Sequence, residues 1–193
     1  MNIIKEEFEN RVETIWESSE KNFNGDSFIS IKKSRDYYMY AQRAGVDSIA
    51  FILYDKNIDK FALIKESKPP LDTNNYLASL ITAFGGSIDM DKTPKEICQI
   101  EVAEESGYKV ELSKIHFVGE TLVSTQMSQI CKLFIVDITN KSKTQKAEYE
   151  IESKHSQDRV VWLDRDEIME NGDWKSIYIL SQMLYLKFFR FLR

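Results

Sequence analysis

Hydrophobic positions in the first half of the chain follow the pattern of β-strands rather than the period of a helix. Residues 27–33 alternate apolar and polar side chains, residues 36–43 are rich in tyrosine, and together they predict a pair of strands. Residues 48–54 form a nearly continuous apolar run, which is typical of a strand covered on both faces. After a turn, residues 60–66 are predicted to run back as its hairpin partner.

Further strands and loops are predicted on either side of this hairpin. The strands are expected at residues 77–84, 116–122, 130–138 and 159–163. Gly85 and Gly86 indicate a loop, and the charged stretch 140–156 indicates another. Residues 3–17 carry apolar side chains near helical spacing, so a helix is preferred there to an extended lead-in.

The clearest local signal is that of a helix over residues 94–106. Thr93 and Glu96 have the spacing of a capping box, in which each side chain bonds to the other residue's backbone N–H. Pro94 suits the first helical position, and Gly107 suits a left-handed C-terminal cap. The helix is therefore predicted with both of its ends.

Two further helices are predicted near the C-terminus, at residues 165–170 and 176–192. The apolar face of the second is expected to consist of Ile177, Leu180, Leu184, Phe188 and Phe191. The element order, mostly strands, then a helix, then strands, then helices, predicts a mixed α/β fold with helices packed on sheets.

Composition narrows the class of protein. The chain has 193 residues, a net charge of −5, 42% hydrophobic and 30% charged residues, which is typical of a soluble globular domain. The acidic balance argues against a general nucleic-acid binder. No apolar run reaches the length of a membrane helix or of a signal-peptide core, so a cytoplasmic location is expected. Cys98 and Cys131 are therefore expected to be reduced and buried.

Three carboxylates near the end of the helix at 94–106 are the candidate chemistry. Glu101 and Glu105 are one turn apart on the same face, and Glu104 lies beside them. A divalent cation would relieve their mutual repulsion, and oxygen ligands suit Mg²⁺ or Mn²⁺. From these residues alone, a solvated acidic helix end is the preferred alternative.

The spacing around these carboxylates resembles the Nudix box, G-x5-E-x7-R-E-U-x-E-E-x-G-U, in which U is a bulky apolar residue. The matching positions are Gly86, Glu101, Val102, Glu104, Glu105, Gly107 and Tyr108. Lys92 stands where the family has Glu, and Ile100 stands where it has Arg. The Glu and the Arg at these positions pair with each other in the family. Because both are replaced here, neither remains as a charge without its partner. We expect the capping box and apolar packing of Ile100 to fix the glycine loop instead.

The resemblance extends over roughly residues 27–190. Residues 47–55, 61–65 and 68–70 are similar to the opening of the branch that hydrolyses ADP-ribose and nucleoside-diphosphate sugars. It implies a Nudix α/β/α sandwich over residues 47–193, preceded by an N-terminal β-hairpin extension, residues 1–46, that carries dimerisation strands.

The implied activity is metal-dependent hydrolysis of the pyrophosphate bond in a nucleoside diphosphate linked to another group, most simply ADP-ribose or a nucleotide sugar. The cofactor implied is Mg²⁺, with Mn²⁺ as a substitute. The resemblance implies metal ligation by Glu101, Glu105 and the backbone carbonyl of Gly85, catalytic roles for Glu104 and Glu152, and substrate binding by Lys68 and Arg43. Glu152 is preferred to Glu148 and Glu150 of the same loop.

Two alternatives stay open. The departures at Lys92 and Ile100 favour a Nudix domain that binds a nucleotide without turning it over. A dinucleoside polyphosphate or RNA-cap hydrolase is the other, although the acidic charge makes long RNA a less natural partner. Among the remaining candidates, His116 lies in a predicted strand, where a structural role is preferred to a catalytic one.

A homodimer is predicted from the N-terminal strands. Residues 27–43 contain Tyr37, Tyr38 and Tyr40. Because an isolated hairpin is marginally stable, this pair of strands should pack against a second subunit, as the resemblance implies. Light scattering at micromolar concentration should give twice the mass of the 22.6 kDa chain. The mass of a single chain would contradict the prediction.

Overall fold

The structure is a computed structural model that describes residues 12–21, 25–34, 37–43, 47–67, 79–144 and 159–190. Its strands are β1 (Val12–Glu17), β2 (Ile29–Ser34), β3 (Met39–Arg43), β4 (Ser48–Asp55), β5 (Lys60–Ser67), β6 (Ser79–Thr82), β7 (Phe84–Ser87), β8 (Ile115–Ser124), β9 (Met127–Asp137) and β10 (Val160–Leu163). Its helices are α1 (Pro94–Ser106), α2 (Arg165–Asn171) and α3 (Trp174–Arg190), with a 3₁₀ turn at Leu112–Lys114. Among the described helices, none has the length and apolarity needed to cross a membrane.

The chain divides into two structural units. The first comprises the described residues up to Ser48 together with Glu120–Cys131, and the second comprises Ile49–Gly119 together with the described residues from Lys132 onwards. The first unit holds the predicted N-terminal strands and the turn between β8 and β9. The predicted boundary at residue 47 and the dimerisation role stay predictions.

Antiparallel pairing of β1 with β2 and of β2 with β3 builds the first unit. Ala41 of β3 then pairs in parallel with Met127, and the Asp47 carboxylate accepts a hydrogen bond from the Ile130 N–H at 3.0 Å. The helix predicted over residues 3–17 is therefore wrong for Val12–Glu17, while residues 3–11 lie outside the described part. The β-branched residues of this segment suit a strand, and pairing with β2 satisfies its backbone.

The core of the second unit is built around the buried hairpin of β4 and β5. Their register pairs Tyr54 with Phe61 and Leu53 with Ala62, as predicted for an apolar run that returns on itself. β10 pairs with β5 on residues 61–64, β6 pairs with the end of β5, and β7 pairs with β4. The mixed α/β class is confirmed.

The segment before α1 differs from its prediction. A single strand was predicted at residues 77–84 with a loop at Gly85 and Gly86, but β6 ends at Thr82 and β7 carries both glycines. Pairing of β7 with β4 accounts for the difference, because residues without a β-carbon allow close approach to a neighbouring strand. A β-carbon at Gly85 would lie 3.3 Å from the backbone oxygen of Ile49.

Helix α1 has the predicted bounds and both predicted caps. The Thr93 N–H donates to the Glu96 carboxylate at 2.8 Å, and the Glu96 N–H donates to Thr93 Oγ1 at 3.3 Å. Gly107 adopts the left-handed conformation with φ of 76°. The buried face consists of Ile97, Cys98, Val102 and Ser106. Cys98 and Cys131 are both buried and free of disulfides, as predicted.

Helix α3 begins at Trp174, two residues before its predicted start, and buries a different face. Ser176, Ile179, Leu180 and Met183 are buried, whereas Leu184 is exposed. Leu180 alone of the predicted face is buried among the side chains described there; those of Phe188 and Phe191 lie outside the described part. When apolar residues occur on several sides of a helix, the 3.6-residue period alone does not determine which side is buried.

Asp173 ties the start of α3 to the strands. Its carboxylate accepts hydrogen bonds from the Ser176 N–H at 3.0 Å and from Thr82 Oγ1 at 2.9 Å, and its side chain is only 7% exposed. The Asp173 N–H donates to the Ile81 carbonyl at 3.1 Å. One residue therefore caps the helix and fixes it to the end of β6.

Asp173→Ala should destabilise the protein by about 2–4 kcal/mol, because it removes a helix cap and leaves buried donors without acceptors. Asp164→Ala is the matched control, since Asp164 caps α2 from an exposed position and its carboxylate accepts a hydrogen bond from the Glu167 N–H of the same helix. That control should lose only about 1 kcal/mol. Urea unfolding measures both losses, and equal losses would mean that the bonds to β6 contribute nothing.

Candidate active site

The C-terminal half of α1 presents the three predicted carboxylates beside β7. Glu101, Glu104 and Glu105 are all partly exposed, in contrast to the neighbouring Val102 and Ser106, which are buried. The helix therefore rests on its apolar face and leaves the acidic residues partly exposed. This placement follows from the 100° step between successive residues of a helix.

Glu101 lies directly against the backbone of Gly86. A β-carbon at Gly86 would be 2.1 Å from Glu101 Oε1 and 2.2 Å from Cδ, so a side chain there requires the Glu101 carboxylate to move. Gly86 is not among the glycines with positive φ, so its backbone conformation does not call for glycine. Close approach of the Glu101 carboxylate explains why residue 86 is glycine. The same contact brings the first half of the box next to its second half.

Glu101 also approaches Cys98 on the buried side of the helix. Burial, and after it the negative charge of Glu101, raise the pKa of the Cys98 thiol far above its usual value. The thiol therefore stays protonated at neutral pH, and Cys98 is a packing residue rather than a nucleophile.

Glu104 faces a different direction from Glu101. It lines a shallow groove, about 390 Å³ in volume, together with Ile100, Ala103 and Lys109. Glu104 and Ile100 are one turn apart and share this face, whereas Glu105 follows Glu101 by one turn. Among the described residues, no three Asp, Glu, His or Cys side chains come close enough to hold a metal ion by themselves.

The two departures from the box occupy ordinary surface positions. Lys92 is exposed, and Ile100 is half-buried at the groove rather than part of the core. The expected apolar packing of Ile100 is thus only partial. The capping box of Thr93 and Glu96 holds the start of the helix as predicted.

The other predicted site residues are distributed as follows. Gly85 precedes Gly86 in β7, next to α1. Arg43 belongs to the first unit, where its guanidinium lies 5.1 Å from the centre of the Phe28 ring. Lys68 and Glu152 lie outside the described residues, as do Glu148 and Glu150.

The donors on α1 fit a hard divalent cation. Glu101 and Glu105 supply carboxylate oxygens on one face, and the Gly86 contact holds the first of them in place. Mg²⁺ is commonly held by one or two carboxylates, with substrate phosphates and water completing its octahedron. Two carboxylates on one face would therefore be sufficient for a cation whose other ligands come from outside the protein.

Sequence reasoning missed a second cluster of charged residues in the same unit. Asp137 at the end of β9 accepts hydrogen bonds from Lys56 at 2.7 Å and from Lys114 at 3.4 Å. Burial opposes ionisation, but the hydrogen bond and charge of Lys56, together with the hydrogen bonds of Thr139, hold the pKa of Asp137 well below its usual value. The three residues are distant in the sequence, so no local spacing pattern identifies them.

Comparison with solved structures supports the fold. A crystal structure described as that of an ADP compounds hydrolase has a TM-score of 0.64 with this chain, covering 92% of it and 91% of its own length at 11% sequence identity. The mixed α/β architecture matches the Nudix fold of that neighbour. No protein-family model matches the chain, and comparison with curated proteins gives no significant match.

The contact between Gly86 and Glu101 can be tested with a double-mutant cycle. Gly86→Ala should destabilise the parent by about 0.5–1.5 kcal/mol, because the Glu101 side chain must leave its preferred rotamer. In a Glu101→Ala background the same change should be neutral or stabilising, since the clash is gone and glycine loses more entropy on folding. Urea unfolding of the four proteins gives the coupling.

Gly85→Ala serves as the control for this cycle. Its β-carbon would meet the Ile49 backbone, so its effect should be the same in the parent and in the Glu101→Ala background. Additive effects of Gly86→Ala and Glu101→Ala would show that the two residues do not touch and that the register of the box is wrong.

Proposed function

We propose that this protein hydrolyses the pyrophosphate bond of a nucleoside diphosphate linked to another group, with ADP-ribose or a nucleotide sugar as substrate. The observation that carries the proposal is the contact of Glu101 with Gly86, which joins the glycine strand to the acidic face of α1. If the carboxylates only formed a solvated helix end, glycine would not be required at position 86. The fold shared with an ADP compounds hydrolase supports the same chemistry.

The residues of α1 have distinct roles in this proposal. Glu101 and Glu105 would hold Mg²⁺ on their shared face, with the backbone carbonyl of Gly85 as a further candidate ligand. When bound there, Mg²⁺ would supply positive charge to offset that of the diphosphate and would lower the pKa of a water molecule. Glu104, on the adjacent face, would accept a proton from the attacking water or orient it, and Glu152 is proposed as a further base from the loop. Arg43 and Lys68 are proposed to bind substrate phosphates.

A second candidate function is nucleotide binding without turnover. It is favoured by Ile100, which lines the groove beside Glu104 at the position where the box has a charged residue. A missing guanidinium there removes one group that would orient the carboxylates. Measurement of ADP-ribose binding and hydrolysis on the same sample distinguishes the two functions, since a sensor binds and does not turn over.

Glu105→Gln should lower the rate of ADP-ribose hydrolysis at saturating Mg²⁺ by roughly tenfold or more, because a neutral amide is a poor ligand for a hard cation. The fold should be retained, since Glu105 is not part of the buried core. The measurement is kcat from release of the nucleoside monophosphate.

Glu170→Gln is the matched control, as Glu170 is an exposed glutamate near the end of α2. It should hydrolyse ADP-ribose at the parent rate. Equal rates for Glu105→Gln and Glu170→Gln would refute the assignment of Glu105 to the metal.

A further inference from the structure

A cavity of about 470 Å³ opens in the second unit at the ends of β4, β8 and β9. Lys95 from the first turn of α1 and Met183 from α3 also line it. Its volume is within the range of pockets that bind small organic ligands. Within the described part of the chain, Glu101, Glu104 and Glu105 are not among its lining residues.

Among the described residues, the charges around this cavity are mainly positive. Asp137 is 9% exposed and is paired with Lys56 and Lys114, so its charge is already compensated by two ammonium groups. Lys95 forms no ion pair with any residue in the described part of the chain and is thus an additional positive charge. This excess is local, because the whole chain carries a net charge of −5.

His116 lies at the wall of the cavity. Partial removal from water lowers the pKa of its imidazole, the charge of Lys95 lowers it further, and Lys56 and Lys114 add to the effect against the opposing charge of Asp137. Removal from water disfavours a charge of either sign, so the preference for an anion follows from the three lysines and not from this shift.

The remaining walls are apolar and partly aromatic. The Phe117 ring is 54% exposed and contacts the Phe134 ring edge-to-face at 5.6 Å, so one of its faces is available to a ligand. Tyr54 and Met183 provide further apolar surface. A flat apolar group would replace water on these walls.

The cavity and the acidic face of α1 point in different directions. Lys95 and Glu101 are six residues apart, which places them about 120° apart around the helix and about 9 Å apart along it. A ligand bound near Lys95 is therefore separate from a cation held by Glu101 and Glu105.

From this geometry we infer that the cavity binds a small organic phosphate, a monoester whose alcohol is a flat apolar or aromatic group. A phosphate monoester is close to a dianion at neutral pH, which matches an excess of two positive charges better than a carboxylate does. Lysine ammonium groups are common phosphate ligands. The inference does not rest on the proposed hydrolysis, because it requires neither a metal nor turnover.

The test is calorimetric titration of the full chain with phenyl phosphate in the presence of EDTA. Binding should be saturable and tighter than that of inorganic phosphate, which lacks the ring, and of benzoate, which lacks the second charge. In parallel NMR titrations, the ring signals of His116, assigned with a His116→Gln variant, should shift with the same dissociation constant.

Three variants locate the binding. Lys95→Gln should weaken binding of phenyl phosphate by about tenfold, as expected for loss of a charged hydrogen-bond donor. Phe117→Ala should weaken phenyl phosphate by about fivefold and leave inorganic phosphate unchanged. Lys109→Gln removes an exposed lysine outside the cavity and should change neither. Circular dichroism verifies that each variant is folded.

Each other outcome would overturn the inference. Absence of saturable binding, or binding that Lys95→Gln does not weaken, would show that phenyl phosphate does not bind in the cavity. Equal affinity for inorganic phosphate would show that the cavity does not recognise an apolar group. Equal affinity for benzoate would show that it does not require a phosphate. Loss of binding in Glu105→Gln, again without metal, would mean that the ligand occupies the proposed active site instead.

Discussion

The contact between the Glu101 carboxylate and Gly86 is the constraint on which the proposed site depends. Fifteen positions along the chain separate these two residues, and they meet because β7 pairs with β4 while α1 packs beside it. A side chain at position 86 would push the carboxylate out of place. Since a cation site requires oxygen atoms held at defined positions, this single close approach links the backbone of a short strand to the chemistry of the helix.

Local signals in the sequence predicted the parts of the fold that local interactions determine. The bounds and caps of α1 follow from Thr93, Pro94, Glu96 and Gly107, and the β4–β5 hairpin follows from its apolar run. The strand at Val12–Glu17 could not be predicted in this way, because pairing with β2 decides its conformation. The buried face of α3 was likewise decided by packing. Asp173 joins α3 to β6 through hydrogen bonds that no sequence spacing indicates.

The functional residues also divide into those that a local sequence pattern predicts and those that only the folded structure brings together. The acidic pattern of α1 identified Glu101, Glu104 and Glu105, but only the structure separates the face of Glu101 from the groove beside Glu104. The cluster of Lys56, Lys114 and Asp137 was missed because its members come from distant segments. An acidic chain can thus contain a positive cavity, and its net charge gives no indication of one.

Direct measurement of metal binding tests the central claim, that Glu101 and Glu105 together hold a divalent cation. Electron paramagnetic resonance can follow free Mn²⁺ during titration of the protein with an ADP-ribose analogue whose bridging diphosphate oxygen is replaced by a methylene group. The parent should take up Mn²⁺ in the presence of the analogue, and Glu101→Gln and Glu105→Gln should each weaken uptake by about tenfold or more. Uptake as tight in both variants as in the parent would contradict the claim.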